Sequence, residues 1–130
     1  MNEPTLYPKS GLIRFKIELS YDGTNFSGWA KQPNLRTVQG EIEAALAKVI
    51  GAPVDTIVGG RTDAGVHALA QIIHIDLPDT FNEIENLAFK LNRILDEDIR
   101  IASVVEAPEG FHARYSAIAR HYEYRISDAT

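Results

Sequence analysis

Ile13, Phe15, Ile17 and Leu19 alternate with Arg14, Lys16, Glu18 and Ser20. A period of two predicts a strand with one buried face, and Asp22-Gly23 ends it with a turn. Residues 22–37 then show no period and contain Gly23, Asn25, Gly28, Trp29, Pro33 and Asn34. Loops of this length are uncommon and are often functional. Val38, Ile42, Ala45, Leu46, Val49 and Ile50 fall at helical spacing. Thr37 is a suitable N-cap, Glu41 and Glu43 lie near the positive end of the helix, and Gly51 closes it.

A second strand is expected near Thr56-Ile57-Val58, running into the turn-rich stretch Gly59-Gly60-Arg61-Thr62-Asp63-Ala64-Gly65. Ile73, Ile75 and Leu77 mark a third strand that Pro78 ends. Ile84, Leu87, Ala88, Leu91, Ile94 and Leu95 mark a second amphipathic helix. Ile99 and Ile101 begin a fourth strand that Val105 could end, and Tyr122, Tyr124 and Ile126 alternate in a fifth. The order β-α-β-β-α-β, with one strand after it, predicts an α+β fold. It is the ferredoxin-like split βαβ arrangement, an antiparallel sheet with two helices on one face.

The 130 residues suffice for one domain. Residues 1–11, with Pro4, Pro8, Gly11 and no period, are expected to form a flexible leader, and residues 12–130 a single domain. The absence of cysteine removes disulfides, thiolate metal sites, iron–sulfur clusters and a cysteine nucleophile. No apolar run reaches the ~18 residues of a membrane span and no signal-peptide pattern occurs, so the expected compartment is the cytoplasm. The net charge of −5 is unevenly spread: residues 76–110 carry nine acidic and three basic side chains, whereas residues 1–75 carry seven of each. The remainder of the chain can therefore face a polyanion without strong repulsion.

The chemistry concentrates in Gly59–His67. Glycines at 59, 60 and 65 permit left-handed turns or a close approach to a ligand. Arg61 and Asp63 are two residues apart, a spacing that in extended backbone places both side chains on one face. A neighbouring guanidinium favours the ionised carboxylate and can orient it, as carboxylate nucleophilic catalysis requires. The competing reading is a plain turn in which Asp63 bonds the backbone and Arg61 is solvated. The run lacks the Gly-Lys-Ser/Thr ending of a phosphate loop, and the chain has no Gly-x-Ser-x-Gly elbow. Asp63, His67 and His74 match no zinc spacing, so no metal is expected; His67 and His74 read as partly buried histidines with a satisfied ring nitrogen. Trp29, in a loop with Lys31 and Arg36, suits either base stacking beside phosphate contacts or a lid over the sheet edge. Phe111–Tyr115 and Ala119–Tyr122 repeat the mixture of rings and cations. Tyr122 and Tyr124 share one face of the fifth strand and could equally be core.

Gly60-Arg61-Thr62-Asp63-Ala64-Gly65-Val66-His67-Ala68 resembles the active-site motif of the tRNA pseudouridine synthase A family. Four further stretches resemble that family in order along the chain: Tyr21–Trp29, Thr37–Glu41, Phe111–Ala117 and Arg120–Tyr124. Ala30 departs from it, standing where the family usually has glutamine. The resemblance covers nearly the whole chain but only the N-terminal half of the family's fold. It implies a catalytic-Asp domain that stops before a second, similar domain, with the active site in a cleft between the two.

The implied activity is that of an isomerase converting uridine to pseudouridine in the anticodon arm of tRNA, without a cofactor. Carried over by position, Asp63 is the catalytic carboxylate, Arg61 its partner in displacing the base, and Tyr122 a contact to the target base. Lys31, Arg36, Arg114 and Arg120 are the expected phosphate contacts. A homodimer and a tRNA partner are implied, and no membrane. The alternative from a different class is a noncatalytic ferredoxin-like RNA-binding module, or an inactive fragment lacking the second half.

Overall fold

A computed structural model describes residues 7–59 and 64–114. The expected fifth strand, Arg61, Asp63, Arg120 and Tyr122 lie outside the described residues, as do residues 1–6 of the expected leader.

The described elements are β1 (Leu12–Tyr21), α1 (Val38–Ile50), β2 (Ile57–Val58), β3 (Ala68–Pro78), α2 (Leu87–Ile94) and β4 (Ile99–Glu106). They form one antiparallel sheet in the order β2-β3-β1-β4. β3 lies between β2 and β1, and β1 lies between β3 and β4. Each helix therefore links two strands separated by a third, which is the split βαβ topology expected from the pattern.

Register follows from burial. Phe15 pairs with Ile75 and Ile17 with Ile73, so the apolar members of both alternations face the same side. On that side Ile17, Leu19, Ile73, Ile75 and Leu77 join Val38, Ile42 and Leu46 of α1 and Leu87 and Leu91 of α2, all fully enclosed. A slip of one residue would turn this whole set outward. The opposite face carries Arg14 paired with Asp76 and Lys16 paired with His74.

α1 starts and stops where its caps dictate. The Thr37 side chain accepts from the Gly40 N–H, and Gly51 closes the helix at φ +87°. α2 is shorter than its periodicity suggests. A 3-10 turn spans Ile84–Asn86, and Asn86 makes no side-chain cap. The helix ends because Leu95 turns extended, which carries its side chain into the core and leaves Ile94 at the surface. β3 begins at Ala68, well before Ile73, because β1 pairs with it up to Tyr21. Residues 68–72 lack the alternating pattern since they face little core; Leu69 is 94% exposed. None of the described helices is long and apolar enough to cross a membrane.

Ile17 sits at the centre of this arrangement, on a strand paired on both sides. Ile17→Ala is expected to cost about 2–5 kcal/mol, the usual range for a well-enclosed aliphatic side chain, measured as a lowered midpoint of urea unfolding. A loss below about 1 kcal/mol would place the dominant core elsewhere.

Candidate functional site

Residues 59–67 stand between β2 and β3 in the chain, and the described ones among them are Gly59, after β2, and residues 64–67, before β3. The entry to this stretch is fixed by α1. Gln39 and Glu43 lie one helical turn apart, on a face that points at the strand. Glu43 Oε2 accepts from both the backbone N–H and the hydroxyl of Thr56, each at 2.9 Å. Gln39 Nε2 donates to the Thr56 carbonyl and hydroxyl, each at 3.3 Å. Thr56 is thereby held on both sides and buried. Three residues on, the Gly59 N–H donates to the Ile72 carbonyl at 3.2 Å. Burial pushes the Glu43 carboxyl up, but the Lys31 ammonium at 2.7 Å and the two Thr56 donors outweigh it and hold it below its usual value.

The exit is fixed by the 22–36 loop. The Gly23 N–H donates to His67 Nδ1 at 2.9 Å, and the Gly65 N–H donates to the Phe26 carbonyl at 3.3 Å. Gly65 itself has φ +80°, where a side chain is disfavoured. Gly23 lies directly against the Val66 backbone: a Cβ there would fall 1.9 Å from the Val66 carbonyl oxygen. Asp22 Oδ1 is 3.1 Å from His67 Nδ1. Because that nitrogen already accepts from Gly23, the neutral ring carries its proton on Nε2. Asp22 is held instead by the Thr24 N–H and hydroxyl, which keep its carboxyl below the usual range.

A second polar cluster lies on the sheet face away from the helices. The Arg14 guanidinium forks onto Asp76 at 2.8 and 3.0 Å and donates to the Phe111 carbonyl at 3.0 Å. His74 is buried, and its Nδ1 accepts from the Ala113 N–H at 3.1 Å; the His112 ring packs edge-on against it at 4.6 Å. Burial first, then the Arg14 charge, pushes His74 down to about 4. The same two causes lower His112. The cluster pins residues 111–113 and with them the position of Arg114.

The candidate residues separate accordingly. Trp29 and Arg114 line one recess of about 460 Å³ with Gln39, Thr56, Ile57, Val58 and Gly59, at the entry of the loop. Trp29 is only 1% exposed and packs 6.2 Å from the Tyr21 ring. It is a core residue walling the recess, as the lid reading has it, and its ring is not presented for stacking. Lys31 keeps a largely exposed side chain although it pairs with Glu43. Arg36 is surrounded by Glu41, Asp96 and Asp98. His67 and His74 each have one ring nitrogen occupied by a backbone N–H. The holding groups Gln39, Glu43, Thr56 and Gly23 escape sequence reasoning. Their one visible signal is a polar pair at helical spacing in α1.

A family profile described as tRNA pseudouridine synthase matches residues 19–116. Among relatives, the tRNA pseudouridine synthase A of Frankia casuarinae is 53% identical over 120 residues, covering 92% of this chain and 43% of its own length. That of Streptomyces avermitilis is 52% identical over 126 residues, with 92% and 44% covered. That of Cutibacterium acnes is 46% identical over 119 residues, with 90% and 42% covered. The chain thus spans less than half the length of these relatives. The matched span contains Arg61 and Asp63 and stops before Arg120 and Tyr122.

Two outcomes follow from this geometry. Gly23→Ala should leave the sheet and helices intact by circular dichroism while costing about 1–3 kcal/mol, because the added carbon displaces one backbone from another. Hydrogen exchange at residues 64–67 should accelerate, and unchanged exchange would refute the docking of the two loops. The second outcome concerns pH. His74 is neutral when folded down to about 4 and protonates near 6.5 when unfolded. Between those values the unfolded state binds the extra proton, so stability falls as pH falls from 6.5 to 4. A loss on the order of 2 kcal/mol is expected across that window. His74→Gln retains an acceptor for the Ala113 N–H and should flatten the profile of thermal midpoint against pH; an unaltered profile would assign the acid sensitivity to other groups.

Proposed function

Because the chain belongs to the tRNA pseudouridine synthase family, we propose that the protein containing it isomerises uridine to pseudouridine in tRNA, with Asp63 as the catalytic carboxylate. The observation that carries this reading is the Gly60–Ala68 motif inside the matched span, preceded by the held Thr56 and itself held at Gly65 and His67. In the reaction the glycosidic C–N bond breaks, the uracil turns, and its C5 bonds to the same sugar carbon. C5 loses a proton and the freed ring nitrogen gains one. No electrons enter or leave, so no redox cofactor takes part. A carboxylate beside the sugar serves either as nucleophile or as base, and Arg61, two residues away, keeps it ionised and displaces the base.

The target nucleotide has to leave its stack, at a cost of a few kcal/mol. One aromatic stack returns roughly 1–3 kcal/mol, which is the role proposed for Tyr122. Arg114, Arg120 and the exposed end of Lys31 supply phosphate contacts. Arg114 is the one of these whose place supports the reading directly, since it shares the recess with Gly59. The proposed substrate region is the anticodon arm. A second, similar half would supply the other wall of the cleft, and a homodimer would help to build the tRNA-binding surface.

Asp63→Asn in the protein containing this chain is expected to abolish tritium release from tRNA labelled at uridine C5, with the unfolding midpoint kept within about 1 kcal/mol of wild type. Release at the wild-type rate would remove Asp63 from the chemistry. Salt-dependent tRNA binding by wild type with no release at all would favour the noncatalytic RNA-binding module.

A further inference from the structure

Arg36 stands in a sequence context that suggests a phosphate contact, yet its surroundings are wrong for one. Its Nη1 donates to Asp98 Oδ2 at 2.9 Å, and its Nη2 donates to Asp98 Oδ1 at 3.2 Å and Asp96 Oδ2 at 3.1 Å. Its Nε donates to Glu41 Oε1 at 3.2 Å. Three carboxylates around one guanidinium leave the spot negative, and a phosphate approaching it meets repulsion. The guanidinium carbon also stands over Phe26, 4.1 Å from the ring centre.

The groups that Arg36 joins belong to the support of the 59–67 loop. Phe26 supplies the carbonyl that holds Gly65, and the Ser27 N–H donates to the Arg36 carbonyl at 2.7 Å. Asp98 belongs to the turn before β4, and its carbonyl accepts from the Asp22 N–H at 2.9 Å. Asp22 adjoins Gly23, which holds His67. Arg36 thus closes a ring of contacts from the 96–98 turn through the 22–27 loop to the exit of the candidate catalytic loop. We infer that Arg36 is a positioning residue: it clamps the 22–27 loop to the turn before β4 and thereby sets the exit of the 59–67 loop. This deepens the pseudouridine synthase reading and rests on it for its kinetic part.

The test uses Arg36→Lys, Asp98→Asn and the double variant in the protein containing this chain, assayed well below the wild-type unfolding temperature, with Arg36→Ala added for the salt dependence of tRNA binding. Lysine keeps the charge but has one donor head, so it cannot span Asp98, Asp96 and Glu41 together. Asp98 cannot bind phosphate. The clamp predicts that both single variants lower kcat by roughly 10- to 100-fold, as expected for a misplaced catalytic group. KM for tRNA and the salt dependence of tRNA binding should stay at wild-type values. The double variant should be no worse than the more impaired single one, and amide exchange at residues 64–67 should accelerate in all three. A phosphate contact instead predicts an effect of Arg36→Ala confined to binding, with a salt slope reduced by roughly 0.7–0.9 and Asp98→Asn neutral; that pattern, or unchanged exchange, overturns the clamp. The exchange readout needs no turnover. Inactive wild-type protein would therefore defeat the functional reading while still deciding the clamp.

Discussion

Gly59 and Gly65, on either side of the candidate motif's Arg61 and Asp63 in the chain, bring no side chain with which to hold the backbone around them. Glycine lets the backbone take unusual turns, and the same freedom removes the packing that would select one of them. Among the described residues, the supports lie on either side of positions 60–63. At the entry, Glu43 and Gln39 grip Thr56 from a helix that is itself capped at Thr37 and Gly51. At the exit, the 22–27 loop brings Gly23 into backbone contact with Val66 and supplies the carbonyl that receives the Gly65 N–H. The closest of these approaches is possible only because residue 23 also lacks a side chain.

This explains why a stretch without regular secondary structure can be long and still well placed. Residues 22–37 do not wander over the surface. The Gly28 and Trp29 carbonyls accept from the N–H groups of Val38 and Gln39, so the loop satisfies the otherwise unpaired donors at the start of α1. Trp29 fills the core beneath, and Arg36 ties the outer side to the turn before β4. Helix start, loop and turn are thus mutually dependent, and their common product is the place where the 59–67 loop joins β3.

The elements most legible in the sequence are those whose signal is local. The alternation from Ile13 to Leu19, the spacing from Val38 to Leu46, and the caps at Thr37 and Gly51 each state a periodicity or a backbone requirement within a few residues. The early start of β3 is not legible, because residues 68–72 are strand by virtue of their partner rather than their pattern. The motif Gly60–Ala68 is legible as chemistry, but its supports are not. Gly23 reads as an ordinary turn until the Val66 backbone is seen against it. Arg36 reads as a free cation until three carboxylates, two of them sixty or more residues away, are found around it. Trp29 was balanced between two roles by composition, and burial decides for the core.

The charge distribution looks different once those partners are placed. The acidic segment 76–110 suggests a surface hostile to a polyanion, but several of its carboxylates are paired with cations of the same domain. Asp76 is held by Arg14, Asp96 and Asp98 by Arg36, and Glu83 by Lys90. These pairs confine much of the field to short distances, since opposite charges a few ångströms apart cancel beyond the screening length of physiological salt. Arg114, in contrast, lines the recess next to Gly59. The overall charge of −5 is therefore a poor guide to the potential that an RNA would meet at this site. That potential is governed by which cations the fold has already committed: Arg36 is committed to the 22–27 loop and Arg14 to the sheet, whereas Arg114 lines the recess beside Gly59.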